Sequence, residues 1–367
     1  MVLDIEAKKP KEVSGIYEDA LRDECGEEVV NFVRAHLDMA NYLEVALLDT
    51  GSHINLLNVF SIQELISNGL KGVVNIKRLN DVRYVNKLLE EVNKKLSKGG
   101  VYILCVESSS MRKQRVLAKL RPPLNWMHYF IDFTYKRVFP KLKGVRKIYF
   151  GLSGGRNRVL SRIEVLGRLY SCGYELLEEK QIDNLLWIAA VKSGEPDYNE
   201  EATYGPLIRL KRVGKGGKII KVYKMRTMHP FSEYLQPYIS EKYGLQKGGK
   251  FDNDPRITTI GRLFRKFWID EMPMIINLIR GDIKVVGIRP ISRHYLSLYP
   301  EDIQARRRNY RPGLLPPFYA DLPETLEEIV ASEEKYMNAY DKGRIFADVR
   351  YFFKIMYNIF IKRARSN

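Results

Sequence analysis

Apolar residues follow alternating helical and strand-like spacings along the first half of the chain. A helical spacing covers residues 81–96, two glycines end it, and the apolar run 101–106 follows. Residues 158–172, Gly173 and two further apolar runs repeat the same order. A helix that ends at glycine and leads into a buried strand is typical of an α/β fold. We therefore predict an α/β domain in this half.

An acidic, turn-forming stretch at residues 193–203 separates this half from a basic second half with a different pattern. Clusters of Gly, Pro, Ser, Asn and Asp between periodic segments indicate loops and domain boundaries. The sequence therefore predicts a first domain over residues 1–195, a linker over residues 196–203 and a second domain over residues 204–367.

An amphipathic helix is predicted within the first half, over residues 124–139. Its apolar side chains share one helical face, formed by Leu124, Met127, Ile131, Tyr135 and Val138. Its polar side chains share another face, formed by Asn125, His128, Asp132 and Lys136. Two interpretations stay open. The apolar face packs on the core of the domain, or it lies in a membrane interface, which aromatic-rich amphipathic helices bind.

The end of the chain carries a second amphipathic pattern with the same two alternatives. Its apolar face is formed by Val349, Phe352, Phe353, Met356, Ile359 and Phe360. Its polar face is formed by Arg350, Lys354, Asn358 and Lys362, with Arg363 and Arg365 following. An aromatic, amphipathic and basic segment suits an anionic membrane surface. The alternative is a terminal helix that packs on the core.

The second half opens with two predicted strands, residues 206–213 and 219–224, joined by a glycine-rich turn. Eight lysines and arginines and no acidic residue occur between residues 202 and 232. This density of positive charge predicts an anionic ligand, and a solvated basic hairpin is the alternative.

Two adjacent carboxylates, Asp270 and Glu271, follow a predicted basic helix that Thr258 or Thr259 can cap. An apolar helix with Pro273 in its first turn comes next. Capping and the helix dipole explain an Asp-Glu pair at such a place. Alternatively, the surrounding arginines hold a phosphate against an ionised carboxylate, which is the arrangement that a nucleophile and its anionic substrate need.

The composition describes a chain of about two ordinary domains. With 367 residues and 45% hydrophobic residues, it buries a real core, which excludes disordered proteins and small disulfide scaffolds. The three cysteines, Cys25, Cys105 and Cys172, lie far apart in the sequence. Their spacing suggests neither a disulfide framework nor a zinc ribbon, and it fits a reducing compartment.

The net charge is +17, because 61 Lys and Arg residues face 44 Asp and Glu residues. This surplus predicts an anionic partner, which is nucleic acid, an acidic membrane surface or a phosphate-bearing small molecule. The apolar runs fall far short of the roughly 20 residues that a spanning helix needs. The N-terminus lacks the apolar stretch of a secretory signal. We therefore expect no transmembrane span and a location on the cytosolic side.

Short motifs of the second half occur in a fixed order over residues 204–313. They are Gly205-Pro206, Arg212-Val213-Gly214, Tyr223-Lys224-Met225-Arg226-Thr227-Met228, Asp254-Pro255-Arg256-Ile257-Thr258, Ile269-Asp270-Glu271-Met272-Pro273, Gly281-Asp282, Val286-Gly287-Ile288-Arg289-Pro290 and Arg311-Pro312-Gly313. Through this set, the second half resembles the bacterial sugar transferase family, the monotopic phosphoglycosyl transferases.

The resemblance implies a two-step transfer from a nucleoside-diphosphate sugar. Asp270 would attack the β-phosphorus, release the nucleoside monophosphate and carry the phosphosugar until a lipid-linked phosphate, expected to be polyprenyl phosphate, takes it. Glu271 would act as a metal or proton partner, and Mg²⁺ would neutralise the diphosphate. Arg289 matches the family arginine that holds phosphate. Further phosphate contacts are expected from Lys224, Arg226 and Arg256.

The first half more distantly resembles the end of Rossmann-type methyltransferase domains, which close with a comparable pair of strands. The glycine-rich cofactor loop of such domains is missing, because residues 152–155 lack its spacing. The expected fold class is thus α/β, with a Rossmann-like partial domain followed by an α/β phosphoglycosyl transferase-like catalytic domain that carries amphipathic interfacial helices. The hydrophobic membrane helix that the family places before its Gly-Pro strand is replaced here by the acidic linker.

Two functions remain open. The first is a phosphoglycosyl transferase in surface polysaccharide or glycolipid biosynthesis, bound as a peripheral or monotopic protein to the anionic cytoplasmic face of the inner membrane. The alternative is a repurposed or non-catalytic family member that binds anionic lipid or a partner enzyme. Nucleic acid is not expected as a partner, because the basic segments lack a recognisable reader motif.

Overall fold

The computed structural model describes residues 16–39, 44–52, 69–198, 205–243 and 254–362. These residues form two compact units. The first contains the described residues up to residue 198 together with Pro230–Tyr238. The second contains Gly205–His229 and the described residues from Ile239 onwards.

A five-stranded mixed sheet forms the centre of the first unit. Its strands are β1 (Val45–Leu48), β2 (Leu70–Asn75), β3 (Leu96–Val106), β4 (Tyr174–Ile182) and β5 (Leu185–Lys192). They are ordered β1-β2-β3-β5-β4, with β1, β2 and β3 parallel and β5 antiparallel to both of its neighbours. The predicted α/β class is confirmed, and the likeness to a Rossmann-type domain stays a prediction.

Helices surround this sheet. They are α1 (Ile16–Cys25), α2 (Glu27–Arg34), α3 (Val85–Lys95), α4 (Ser109–Leu117), α5 (Leu124–Phe133), α6 (Val145–Ser153) and α7 (Arg162–Ser171). Short 3₁₀ or π segments lie at Leu79–Asp81, Thr134–Val138 and Phe139–Lys141. Apolar side chains from α2, β1 and β5 share one core cluster, so burial of apolar area holds the first unit together.

The predicted helix in the middle of the first half lies with its polar face inward. Asn125 and Asp132 of α5 are buried, whereas Met127 and Ile131 of the predicted apolar face are each 57% exposed. Asp132 accepts two hydrogen bonds from the buried Arg112 guanidinium, at 2.7 and 2.9 Å. Separating a buried ion pair leaves an uncompensated charge in the interior, which is strongly destabilising. The pair therefore holds the polar face of α5 toward the core of the unit. The core-packing interpretation of its apolar face is therefore wrong.

Two small sheets and a group of helices form the second unit. The strands are β6 (Leu207–Val213), β7 (Ile219–Met225), β8 (Lys284–Val286) and β9 (Gly313–Leu315). β6 and β7 form the predicted antiparallel hairpin, and β8 pairs with β9 in parallel. The helices are α8 (Gln236–Tyr243), α9 (Thr259–Lys266), α10 (Ile275–Ile279), α11 (Arg293–Leu296), α12 (Glu301–Arg307), α13 (Phe318–Asp321), α14 (Leu326–Lys342) and α15 (Arg344–Phe360). Short 3₁₀ segments of this unit lie at Lys215–Gly217 and Ile269–Met274, whereas the 3₁₀ segment Ser232–Leu235 and the first residues of α8 belong to the first unit.

A buried asparagine joins the hairpin to α10. The Asn277 side chain accepts a hydrogen bond from the Tyr223 backbone N–H at 2.9 Å and donates to the Lys221 carbonyl at 2.8 Å. It also donates to Asp282 at 3.0 Å. Because an unpaired buried polar group is costly, Asn277 fixes the position of β7 relative to the segment that carries Asp270 and Glu271.

The predicted terminal helix is apolar on two faces. Tyr351 and Ile355 of α15 pack in the core of the second unit, and Asn358 donates hydrogen bonds to two carbonyls of α13. On the opposite face, Phe346 is 83% exposed and Phe353 is 67% exposed. The core-packing interpretation thus holds for one face of this helix, and membrane binding by the exposed face stays a prediction. Arg363 and Arg365 lie outside the described residues.

No helix in the described part of the chain has the length and apolar character that a membrane span requires.

Two glycines allow a close approach at the β8–β9 pair. A Cβ atom on Gly313 would lie 2.1 Å from the backbone nitrogen of Gly287, and both positions are surrounded by backbone. A backbone neighbour cannot move aside as the end of a flexible side chain can. Only glycine therefore fits at Gly313.

Replacing this glycine tests the packing. We expect Gly313→Ala to lower the free energy of unfolding of the second unit by about 2–3 kcal/mol, because the added methyl group overpacks the strand pair. Urea denaturation measures the change. The matched control is Gly343→Ala, where the nearest side-chain atom to the new Cβ is 3.8 Å away. An equal loss of stability in both variants would contradict the packing argument.

Candidate active site

Asp270 and Glu271 lie in a short 3₁₀ segment, Ile269–Met274, that precedes α10. Trp268 enters this segment in the left-handed conformation, with a φ of 61°, and its ring packs on Tyr319 with the ring centroids 4.4 Å apart. Within the described residues, neither the 3₁₀ segment nor α10 has a side-chain cap. Capping therefore does not account for the two carboxylates.

Both carboxylates are buried, and one of them pairs with a lysine of the hairpin. Each has 7% of its surface exposed. The Lys224 Nζ atom donates to Glu271 Oε1 at 2.6 Å. Since β7 carries Lys224 and the 3₁₀ segment carries Glu271, this ion pair connects the two elements at the centre of the site.

The neighbouring carboxylate has an oxygen without a partner. Among the residues that the structure describes, none makes a hydrogen bond to the buried Asp270 Oδ1 atom. Burial and, to a lesser degree, the charge of Glu271 raise the pKa of Asp270. Lys224 and Arg265 act in the opposite direction on this pKa. A buried, unpaired carboxylate oxygen is costly, and such groups cluster at functional sites.

A cavity of about 230 Å³ opens beside Glu271 and Lys224, whereas Asp270 is not among its lining residues. Its charged lining side chains are Glu271, Lys224, Arg289 and Arg212, and its other walls include Ser292, Tyr295 and Tyr319. Three cations face one carboxylate there. The cavity therefore suits an anionic group, such as a phosphate, held by charge-assisted hydrogen bonds.

The backbone of Arg289 is fixed by two hydrogen bonds from opposite sides. Its N–H donates to Glu333 at 3.2 Å, and its carbonyl accepts from Arg307 at 2.7 Å. Its guanidinium lies 5.4 Å from the centre of the Phe318 ring. These contacts hold the backbone of the residue whose side chain lines the cavity, and preorganised cations bind anions at lower entropic cost.

Sequence reasoning placed Arg212 in a motif without assigning it a role, although this residue lines the cavity. Burial, followed by repulsion from Arg289, lowers the pKa of Arg212. Two guanidinium groups that repel each other at one cavity favour the arrival of an anion. The alternation of β6 gives a signal that would have identified it, because Leu210 and Arg212 share a face and both line the cavity.

Two other predicted phosphate contacts lie outside the lining of this cavity. Arg256 is buried and forms a two-pronged ion pair with Asp254, with contacts of 2.7 to 3.1 Å. Arg226 donates through Nε to the Gly205 carbonyl at 3.1 Å. Their roles toward phosphate stay predictions.

Arg265 is a further cation near Asp270 that the sequence did not single out. It lies in α9, which Thr258 caps by accepting a hydrogen bond from the Gly261 N–H at 2.9 Å. Its Nε donates to the Thr227 hydroxyl at 3.1 Å. Burial lowers the pKa of Arg265, and Asp270 acts in the opposite direction. The cap at Thr258 therefore fixes the helix that brings this charge to the carboxylate.

The two carboxylates have the chemistry that a magnesium ion needs. Mg²⁺ takes hard oxygen ligands and in phosphate-binding sites uses one or two carboxylates together with phosphates and water. Asp270 Oδ1 is buried without a hydrogen bond from the described residues, so it is available as a ligand. The described residues contain no cluster of three or more candidate metal-binding side chains. A metal bound here would therefore need phosphate or water oxygens to complete its set of ligands.

Exposed apolar side chains flank the site on both sides in the sequence. Before it, Leu263 and Phe267 are exposed on or next to α9. After it, Met272 and Ile276 are exposed, and Ile279 at the end of α10 is 82% exposed. Adjacent exposed apolar groups at helical spacing indicate an interaction surface.

Comparison with known proteins identifies the second half. Residues 200–362 match the family model described as bacterial sugar transferase. The chain is 37% identical over 123 residues to an undecaprenyl-phosphate galactose phosphotransferase of Salmonella typhimurium, an alignment that covers 32% of this chain and 24% of the relative.

Two further relatives are similar over the same share of the chain. A UDP-N-acetylgalactosamine-undecaprenyl-phosphate N-acetylgalactosaminephosphotransferase of Aeromonas hydrophila is 35% identical over 115 residues, which cover 30% of this chain and 24% of the relative. The exopolysaccharide production protein ExoY of Rhizobium meliloti is 36% identical over 111 residues, which cover 28% of this chain and 48% of the relative. The chain thus spans less than half of the length of these relatives.

The family model covers the part of the chain that contains the short motifs, and the named relatives are sugar phosphotransferases. The prediction that this part is a sugar transferase domain is confirmed. Residues 200–362 of this chain belong to the bacterial sugar transferase family.

Proposed function

We propose that this protein is a phosphoglycosyl transferase that moves a sugar 1-phosphate from a nucleoside-diphosphate sugar to a lipid-linked phosphate. The names of the relatives support this class of donor and acceptor, since two are undecaprenyl-phosphate sugar phosphotransferases and one of these names a UDP-sugar. The name of the ExoY relative supports a place in exopolysaccharide synthesis. For this chain, we infer a UDP-sugar as donor and a polyprenyl phosphate as acceptor.

The observation that carries the proposal is the unpartnered oxygen of Asp270. A carboxylate that is used only to stabilise the fold has its buried oxygens paired. Asp270 Oδ1 is buried with no hydrogen bond from any described residue, and its neighbour Glu271 lines a cavity together with three cations. An oxygen kept in this state, on the residue before a carboxylate that lines a cationic cavity, suits attack on phosphorus.

In the first step of the proposed reaction, an Asp270 oxygen attacks the β-phosphorus of the donor. The bond between that phosphorus and the oxygen bridging to the α-phosphate breaks, and nucleoside monophosphate leaves with that oxygen. The product on the protein is an acyl phosphate ester of the sugar. In the second step, an oxygen of the lipid phosphate attacks the same phosphorus, the bond to Asp270 breaks, and the carboxylate is regenerated.

The surrounding residues have separate roles in this scheme. Arg289 and Arg212 bind phosphate oxygens in the cavity, and Lys224 orients Glu271 through the 2.6 Å ion pair. The raised pKa of Asp270 describes a carboxylate that is poorly stabilised in the free protein and hence more reactive. Asp270 and Glu271 would hold Mg²⁺, which supplies charge neutralisation of the diphosphate when it is bound.

A lipid acceptor requires contact with a membrane, and the second unit has a surface that suits one. α9 carries exposed Ile260 and Leu263 next to exposed Arg262 and Lys266, with no acidic residue in the helix. α15 contributes a row of exposed aromatic side chains that includes Phe353. Apolar side chains flanked by basic ones bind the headgroup region of anionic membranes. We therefore propose that the protein works at the anionic cytoplasmic face of the inner membrane.

A second candidate function rests on the same surface. A family member without catalysis would still bind anionic lipid or a partner enzyme through these apolar and basic side chains. The two candidates differ at Asp270, because membrane binding does not require a carboxylate that is buried.

Substitution of the nucleophile separates the candidates. We expect Asp270→Asn to lower release of nucleoside monophosphate from a UDP-sugar by roughly 10³-fold or more, because the amide cannot form the acyl phosphate. The assay contains Mg²⁺ and polyprenyl phosphate and screens several sugar nucleotides. The control is Asp302→Asn, which removes an exposed carboxylate of α12 and leaves the rate unchanged. Equal rates in the wild type and Asp270→Asn would rule out the covalent scheme.

The membrane surface has its own test. We expect Phe346→Ser combined with Phe353→Ser to weaken binding to vesicles that contain phosphatidylglycerol by at least about tenfold, because each exposed ring loses its apolar burial in the headgroup region. Co-sedimentation measures the bound fraction. The matched control, Leu298→Ser, changes an apolar residue that is also exposed in the second unit. If the aromatic pair and the control lose the same binding, α15 is not the contact.

A further inference from the structure

The first unit contains a cavity that the proposed transferase chemistry does not use. It has a volume of about 800 Å³, which lies in the range of pockets that hold organic ligands. Its walls come from the start of α3, the irregular stretch 134–141, α6 and α7. All of these segments lie within the first unit, so the cavity is complete in that unit alone.

The cavity has a strong excess of positive charge. Of the described residues that line it, nine are basic and two are acidic. The basic residues are Arg83, Lys87, Lys136, Arg137, Lys141, Arg146, Lys147, Arg158 and Arg168, and the acidic ones are Glu90 and Glu164. In a partly buried cavity, so many positively charged side chains repel one another unless an anion binds among them.

One of the two acidic residues is already committed to the fold. Glu164 is 1% exposed and forms ion pairs with Arg137, Lys141 and Arg168. A single carboxylate thus faces three cations. Arg146 and Lys147 add further positive charge from the exposed side of α6. Asp132, which lies outside the lining, also pairs with Lys136 at 3.0 Å, so four of the nine basic residues share two carboxylates and the cavity keeps an excess of positive charge.

The pKa of Lys141 responds to its burial and to the positive charges around it. Burial, followed by repulsion from the Arg137 guanidinium, lowers the pKa of Lys141 to about 7. Glu164 acts in the opposite direction on this pKa without restoring the ordinary value, and Arg168 lowers it further. Without a ligand, protonation of Lys141 is therefore disfavoured. A bound negative charge would favour the protonated, positively charged form of this lysine.

Aromatic rings hold part of the cationic wall in place. The Arg83 guanidinium lies 5.3 Å from the centre of the Tyr84 ring and 5.7 Å from that of Phe150. The Arg158 guanidinium lies 5.5 Å from the Phe150 ring. Tyr198 also lines the cavity. Stacked guanidinium groups are well suited to phosphate, and the rings offer an apolar surface to the remainder of a ligand.

We propose that this cavity is a second anion site, which binds a ligand of nucleotide size with at least two negative charges on phosphate groups. Phosphate matches the wall, because arginine and lysine side chains bind its oxygens through charge-assisted hydrogen bonds. The volume exceeds that of the anion cavity in the second unit, about 800 against about 230 Å³. The proposal is independent of the transfer reaction and concerns binding only.

The same phosphate chemistry occurs in soluble nucleotides and in lipid headgroups. α6 carries exposed Ile148 and Leu152 beside the cavity-lining Arg146 and Lys147, so a headgroup at a membrane surface is a possible source. The experiment separates the two sources by presenting each one alone.

Hydrogen exchange of the full chain reports on this cavity locally. The soluble probe is UDP. The membrane probes are vesicles that contain cardiolipin, whose two phosphate groups carry two negative charges, and vesicles of phosphatidylcholine alone. We expect slower exchange at residues 84–90 and 136–150 with UDP if the source is soluble, or with cardiolipin vesicles alone if the source is a headgroup. Because the readout is confined to these segments, binding at the second unit does not affect it.

A matched pair of variants completes the test. Arg146→Gln with Lys147→Gln removes two charges from the wall, and both side chains are exposed, so the fold is retained. Lys119→Gln with Lys143→Gln removes two exposed charges outside the lining. We compare the probe concentration at which protection from exchange is half complete. This concentration should be at least about tenfold higher for the cavity variant than for the control variant. Equal effects of the two pairs, or no protection of either segment by any probe, would overturn the proposal.

Discussion

The candidate active site of the second unit is built on the ion pair between Lys224 and Glu271 and on the neighbouring carboxylate of Asp270. The 2.6 Å contact connects the hairpin to the segment of the carboxylates, and it engages Glu271 while Asp270 Oδ1 has no hydrogen bond from the described residues. Asn277, at the start of the helix that follows the carboxylates, also holds β7 in place through buried hydrogen bonds to the backbone of Tyr223 and Lys221. The fold thus holds one carboxylate in a costly state, and such a cost is usual where the group has a chemical task.

Positive charge is concentrated around cavities in both units. In the second unit, Arg289, Arg212 and Lys224 face Glu271 at the smaller cavity. In the first unit, Glu164 is surrounded by three cations at the larger cavity. The surplus of +17 is therefore concentrated in part around these two cavities and in part in exposed basic residues next to apolar ones on α9. This arrangement fits a proposed enzyme whose donor, acceptor and membrane all carry phosphate.

Local patterns predicted much of the fold and of the site. The hairpin, the Thr258 cap and the closing strand pair of the first unit follow from spacing, glycine and capping rules that act within a few residues. The orientation of α5 could not be predicted this way, because it is set by the Arg112–Asp132 ion pair between residues 20 positions apart. Arg265 was not singled out for the same reason, since only tertiary contacts bring it near Asp270, whereas the alternation of β6 contains a local signal for Arg212. The larger cavity gathers side chains from residue 83 to residue 198, which no local pattern connects.

The most direct test of the account is the mass of the intact protein after it meets its donor without acceptor. The wild-type chain is mixed with a UDP-sugar and Mg²⁺, quenched with acid and measured by mass spectrometry. The account predicts that the intact wild-type chain gains the mass of one phosphosugar and that Asp270→Asn gains none. Transfer of the phosphosugar to polyprenyl phosphate by a chain that never carries the adduct would contradict it.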